Sequence, residues 1–306
     1  MKQATGYILM IRPAGFGFNP ETAASNAFQQ KPATDAHGLL QQAQQEFDAM
    51  VQQLESAGIS VWVVNDTTDP IKPDAVFPNN WFSTHADGTL VLYPMQAANR
   101  RLERRTDIVD QLRQTHRFIR ILDYTDYEKR GIFLEGTGSM VFDRVNKIAY
   151  AARSPRTDRA LFEAVCTALE YKPISFQAID ATGQPIYHTN VVMSVGAGWV
   201  LICLEAIPEE SERIKLEETF AATKHQVIPI SREQMNQFAG NALLLTNQLA
   251  KHIIVLSETA IHCLTEEQRR MLETKAHLLT VSIPTIESVG GGSVRCMMAE
   301  LFLPNQ

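Results

Sequence analysis

The sequence predicts an α/β fold in which five ββαβ units close into a ring. Three observations lead there. A hairpin, a helix and a strand recur in that order four times along the chain. The hairpins start at Trp81, Ser139, Val191 and Ala242, a period of about 50 to 58 residues, and such a period marks a repeat architecture. An orphan strand lies near each end of the chain, and the two together supply the hairpin that a fifth unit lacks.

Residues 7–11 (YILMI) read as the first orphan strand. Pro13 to Pro32, with Gly15, Gly17, Asn19 and Pro20, reads as a loop full of breakers, and a loop of that length is usually functional or disordered. From Asp35 to Ala57 the residues Leu39, Leu40, Ala43, Phe47, Met50, Val51 and Leu54 keep helical spacing, with Gly58 as a stop. A β-branched strand follows at 59–64.

The first full unit has strands 81–84 and 89–93 around the turn His85-Ala86-Asp87-Gly88. Its helix runs over about 100–114 and its third strand over 118–122. The second has strands 139–142 and 148–151, helix 157–170 and strand 174–176. The third has strands 191–195 and 199–204, a helix from Pro208, a favoured first residue, and strand 226–230. The fourth has strands 242–246 and 253–256, helix 265–276 and strand 278–283. One strand remains, 294–303. Pairing it with 7–11 completes a fifth unit from both termini and leaves no free sheet edge at the seam.

Composition narrows the function. The chain has 306 residues, 45% hydrophobic and 20% charged, as in a globular enzyme. A net charge of −6 offers no basic field for nucleic acid. No apolar run approaches the roughly 18 residues of a membrane span, and no secretory leader is visible. Four cysteines without paired spacing form no disulfide framework. A cytoplasmic protein is expected. The motifs C-x-x-C, H-E-x-x-H and the P-loop are all missing, so no metal or cofactor is expected.

In a ring of this kind, equivalent positions of each unit face the axis. Just ahead of the hairpins lie Asp74 to Asn80, Leu134 to Gly138, Tyr187 to Asn190, Phe238 to Asn241, and the run Gly290-Gly291-Gly292-Ser293-Val294-Arg295-Cys296. These segments bring an Asp, a Glu, a His and a Cys to one place. A thiol is only slightly ionised at neutral pH and needs a base or a cation to act as a nucleophile. His188 can serve as either. Glu135 can hold a cationic group or orient the histidine. Each has a plainer reading. Cys296 beside Met297 and Met298 is also what a small core residue looks like, and His188 and Glu135 are also what satisfied loop residues look like.

These residues resemble the guanidine-modifying enzymes of the pentein superfamily. The resemblance rests on Pro73-Asp74-x-x-Phe77, Leu134-Glu135-Gly136, Ser154-Pro155-Arg156-Thr157, His188 and Cys296, and it spans essentially the whole chain. The 13–19 loop and the Gly-Gly-Gly-Ser-x-Arg-Cys run resemble bacterial members described as amidinotransferase-like or as citrulline-utilisation hydrolases. The resemblance implies a five-bladed α/β propeller, with residues 1–306 as one catalytic domain. It implies a small amino acid as substrate. Cys296 would attack a guanidino or ureido carbon, His188 would move protons, and Glu135 would grip the substrate nitrogens. Asp74, Asn80, Arg156, Arg101 and Asn190 would bind the rest of the substrate, the arginines through bidentate contacts to its carboxylate. A homo-oligomer is compatible with all of this, and nothing in the sequence specifies one.

Two departures bear on the substrate. Asn80 stands where members acting on cationic guanidinium commonly carry an acid. Asn190 stands where deiminases carry an Asp. Losing a carboxylate about 4 Å from a guanidinium forfeits on the order of 4 kcal/mol at an effective dielectric of 20. An amide offers donors as well as an acceptor, which suits a neutral ureido group such as that of citrulline. The competing reading is structural: Asn80, Asn190 and Asn241 share one repeat position and could cap the following turn. Arginine or dimethylarginine hydrolysis, amidino transfer to an amine, and a non-catalytic binding module are the rival functions.

Overall fold

The computed structural model describes residues 2–32 and 35–304. Five three-stranded sheets surround an axis. In each, an inner strand runs antiparallel to the middle one, and the middle one runs parallel to the outer one. Blade one is Phe82–Thr84, Thr89–Leu92 and Arg120–Asp123, and blade two is Val141–Asp143, Ile148–Arg153 and Lys172–Gln177. Blade three is Met193–Gly196, Trp199–Ile202 and Gln226–Pro229, and blade four is Leu243–Thr246, His252–Ser257 and His277–Val281. Blade five joins the termini, as the repeat requires. Ala299–Glu300 pairs antiparallel with Tyr7–Arg12, which pairs parallel with Ser60–Asn65. The fold is the α/β five-bladed propeller that the repeat predicts.

The middle-to-outer step is parallel and therefore needs a crossover, which a helix supplies. Middle strands such as Trp199–Ile202 are buried throughout, whereas the outer strand Lys172–Gln177 buries only alternate residues. The helix Ala36–Ser56 shows why the crossovers hold. The Asp35 carboxylate accepts the N–H groups of His37 and Gly38 and caps its start. Leu39, Ala43, Phe47, Met50 and Leu54 form one buried stripe. Truncating Phe47 to Ala in that stripe costs about 3–5 kcal/mol.

Several boundaries differ from the expectation. The helix placed over 100–114 is two elements, a 3-10 turn Asn99–Glu103 and a helix Thr106–His116. Three residues per turn bring Arg100 and Glu103 to the same side, where they form two hydrogen bonds of 2.8 and 2.9 Å. The Pro208 helix begins at Glu210. The long early loop contains a short helix, Pro20–Ala23, capped by Asn19. The last strand shrinks from 294–303 to Ala299–Glu300, because Cys296 N–H and Met297 N–H donate to the carbonyls of Ser293 and Val294 and form a turn instead.

That turn is part of a pattern. Residues read as strand starts at Ser139 and Val191 lie in helical turns, Gly136–Ser139 and Thr189–Val192, and Pro78–Asn80 forms a similar turn. Blades one, two, three and five thus each reach the axis through a tight turn before their inner strand. The turns, not the strands, carry the chemistry-bearing side chains.

Candidate active site

The axial turns line a small, partly open cavity. Asp74, Asn80, Arg156, His188 and Cys296 line it, as do Arg100, Tyr187, Phe77, Asn26 and the three glycines 290–292. Residues of all the blades except the fourth therefore meet in one space.

Cys296 sits on the last turn and is buried. Its Sγ accepts from Asn190 Nδ2 and from Asn241 Nδ2, each at 3.4 Å. The glycines ahead of it are needed for packing against protein. Gly291 is left-handed, with φ of 65°, and a Cβ there would meet Asn26 Nδ2 at 2.6 Å.

His188 faces Glu135, with Nε2 2.8 Å from Oε2. Glu135 is fully buried, and its Oε1 accepts the Gln96 N–H at 2.9 Å. Arg156 Nη1 lies 3.5 Å and Arg100 Nη1 3.9 Å from Oε2. Burial works against the Glu135 charge, but Arg156, the His188 hydrogen bond and Arg100 outweigh it and hold the carboxyl well below its usual range. Burial has the opposite consequence for His188, lowering it to about 4 despite the Glu135 bond, with Arg156 and Arg100 adding to the fall. At neutral pH the pair is therefore carboxylate and neutral imidazole. Nε2–H donates to Glu135 and leaves the Nδ1 lone pair free. A Cβ on Gly138 would lie 2.7 Å from that Nδ1 and 2.4 Å from Asn80 Nδ2, so a glycine at 138 lets His188 and Asn80 occupy their positions.

Glu135 does not line the cavity. Its oxygens are committed to Gln96 and His188, so its geometry fits orientation of the histidine, not the grip on substrate nitrogens that the resemblance implied. Arg101 is not brought to the site. It is partly exposed, donates to the carbonyls of Met95 and Gln96, and lies 3.4 Å from Glu128. In a 3-10 turn successive side chains diverge by about a third of a turn, and it is the neighbouring Arg100 that points inward.

Arg100 was missed by sequence reasoning. It is buried against Glu103, donates to Asn80 Oδ1 at 2.9 Å, and its Nε lies 3.6 Å from Asp74 Oδ2. The Arg-x-x-Glu spacing was the available signal. Arg156 is buried too. Its Nη2 donates to Thr22 O at 3.1 Å and to Ser25 Oγ at 2.7 Å, tying the early loop to the site. Asp74 Oδ2 accepts from Asn19 of the same loop at 2.7 Å. Burial raises the Asp74 carboxyl, against the pull of Arg100 and Asn19.

The asparagines do not behave as a set. The amides of Asn80 and Asn190 turn toward Arg100 and the sulfur, and neither caps its helical turn. Asn241 also reaches the sulfur, and it is held there by donating to Asn190 O at 2.9 Å and accepting from Arg295 N–H at 3.0 Å. Among the described residues, Asp74 Oδ1, Asn80 Nδ2 and Asn190 Oδ1 find no hydrogen-bond partner. Among the described residues no helix is long and apolar enough to cross a membrane, and no cluster of three His, Cys, Asp or Glu could hold a metal.

No curated protein sequence matches the chain. Solved structures do. The N-terminal domain of ArgZ, described as an arginine dihydrolase from the ornithine–ammonia cycle in Cyanobacteria, superposes with a TM-score of 0.75 at 16% identity over 98% of this chain and 99% of that one, in a substrate-bound cysteine-to-serine variant. AgrE, in a binary complex with L-arginine, gives 0.74 at 16% identity over 98% of this chain and 40% of its own. A dimethylarginine dimethylaminohydrolase, as an adduct with S-methyl-L-thiocitrulline, gives 0.65 at 15% identity over 96% of this chain and 99% of that one. At such identities the likeness is one of fold. The family described as "N,N dimethylarginine dimethylhydrolase, eukaryotic" matches residues 12–303. With that match over nearly its full length, the chain belongs to the dimethylarginine dimethylaminohydrolase family of the pentein superfamily, hydrolases of amidine C–N bonds.

Proposed function

We propose that the chain, acting as one catalytic domain, hydrolyses a C–N bond in the ureido or guanidino tail of a free amino acid through a covalent adduct on Cys296. The observation that carries this reading is the placement of a buried thiol and a neutral histidine, backed by an ionised carboxylate, in the wall of one cavity. Sγ attacks the tail's central carbon and forms a C–S bond. The proton that Cys296 gives up passes to His188 Nδ1 and from there to the departing nitrogen, the C–N bond breaks, and an amine leaves. Water then gives a proton to His188 Nδ1 and its oxygen attacks the same carbon, releasing the thiolate. Glu135 keeps the imidazole in the Nε2–H tautomer throughout and so acts through His188.

The preferred tail is ureido, as in citrulline, which with one water yields ornithine, ammonia and carbon dioxide. One feature supports it. Asn80 Nδ2 is a buried donor with no acceptor among the described residues, and a ureido carbonyl supplies one while a guanidinium does not. A guanidino substrate is the second reading, favoured by the unpartnered Asp74 Oδ1 and by the arginine bound to AgrE.

Incubation with citrulline, arginine and dimethylarginine in turn, with ornithine, citrulline and ammonia assayed, separates these. Ornithine from citrulline, lost in Cys296→Ser, is the expected result. Turnover of arginine but not citrulline would transfer the assignment to the guanidino class. An added amine that captures the adduct in place of water would make the protein an amidinotransferase. If no substrate turns over and none forms an adduct, a binding module is left.

A further inference from the structure

Among the described residues, the hydrogen-bond partners of Cys296 Sγ are two asparagine amides and no histidine. Asn190 Nδ2 and Asn241 Nδ2 each lie 3.4 Å from the sulfur, and both residues are buried. The Asn241 amide has its orientation forced. On one side the Arg295 N–H, a donor, approaches at 3.0 Å and must meet Oδ1. On the other the Asn190 carbonyl, an acceptor, lies 2.9 Å away and must meet Nδ2. The amide therefore presents its N–H edge to the sulfur at 3.4 Å, with Oδ1 farther off at 3.9 Å. It also fixes the peptide of residue 295 just ahead of the thiol and that of residue 190 just after His188.

We propose that Asn241, with Asn190, forms a two-amide cradle that holds the Cys296 sulfur as thiolate and aims it at the substrate carbon. The inference rests on Cys296 being the nucleophile. N–H donors directed at an anion stabilise it without adding a formal charge. A neutral cradle leaves the balance among the charged groups around the cavity, Asp74, Arg100, Arg156 and the Glu135–His188 pair, undisturbed. The hydroxyl of Tyr187 does not compete for the sulfur, because it donates to Gly291 O at 2.5 Å.

The test is the reactivity of the free enzyme's thiol at neutral pH. Asn241→Asp keeps the acceptor for Arg295 N–H and replaces the donor edge with a negative oxygen. Alkylation of Cys296 by iodoacetamide, located by mass spectrometry, should slow at least about tenfold. Ultraviolet thiolate absorbance, taken as the difference from Cys296→Ser, should fall with it. Asn190→Leu removes one donor at similar size and should slow alkylation about threefold. It also stands in if Asn241→Asp does not fold. Wild-type alkylation rate and absorbance in a folded variant would overturn the cradle. Turnover that survives in Cys296→Ser would instead overturn the role of the cysteine itself, so the two failures are distinct.

Discussion

Glu135 Oε2 and His188 Nε2 stand 2.8 Å apart, each buried and each delivered by the axial turn of a different blade. The bond joins blades two and three at the point where the chemistry is proposed to occur. Two arginines share the same carboxylate, so its charge supports both the histidine and the packing of the ring axis.

Glu135→Gln should therefore damage activity and stability together. The amide removes the charge that compensates Arg156 and Arg100, and breaking one side of a buried ion pair costs about 3–5 kcal/mol. Misorientation of the imidazole should lower kcat by about two orders of magnitude. Chemical denaturation and steady-state kinetics on the same preparation measure both. A variant as stable as the parent would show that the arginines do not depend on this carboxylate.

Gly138→Ala probes position without touching a charge. Its new methyl falls within 2.7 Å of His188 Nδ1 and 2.4 Å of Asn80 Nδ2, so both side chains must shift. Overpacking of this kind costs about 1–3 kcal/mol, while displacement of about 1 Å at a reacting group can cost about a hundredfold in rate. Loss of kcat far beyond the loss of stability is expected, and equal modest effects would argue that the His188 position is not critical.

The acid limb of stability should carry a His188 signature. Its folded value, about 4, lies below the ordinary 6.5. Between those values the unfolded chain binds the proton and the folded one does not, so stability falls as pH drops from about 6.5 to about 4. Below that window His188 contributes no further change. His188→Gln should flatten the Tm profile across this range while retaining a partner for Glu135. An unchanged slope would place the titration elsewhere.

Arg100 and Arg101 should separate cleanly. Arg100→Ala strands Glu103 and Asp74 in a buried setting and should cost about 3–5 kcal/mol. Arg101→Ala loses a partly exposed pair with Glu128, worth about 1 kcal/mol, and should leave kcat/KM within about threefold. A large rise in KM for Arg101→Ala would restore its expected contact with the substrate.

The ring was legible because its signals are periodic: alternating hydrophobic runs, turn residues and a recurring order of elements survive in sequence without any contact being known. Residues whose chemistry is rare in a loop, such as His188 and Cys296, could be found the same way. Arg101 and the 294–303 strand misled for a local reason. Whether Arg100 or Arg101 turns inward depends on a 3-10 turn in place of an α-helix, and that choice is made by burial of the Arg100–Glu103 pair. The run after Cys296 is apolar enough for a strand, yet the chain turns there, with the Cys296 and Met297 N–H groups bound to Ser293 and Val294. The partners of Asn241 lie in blades three and five, far apart in sequence, and no local pattern announces them.

The seam between Tyr7–Arg12 and Ala299–Glu300 also sets a timetable. Its register consists of Ile8 opposite Glu300 and Leu9 opposite Ala299. The strand Tyr7–Arg12 thus waits for Ala299–Glu300, far along the chain, and the pairing anchors the segment that follows Cys296. Such a long-range closure is slow to form. Until that closure a folding chain holds four blades around an open side, so the cavity wall that carries Cys296 is completed last.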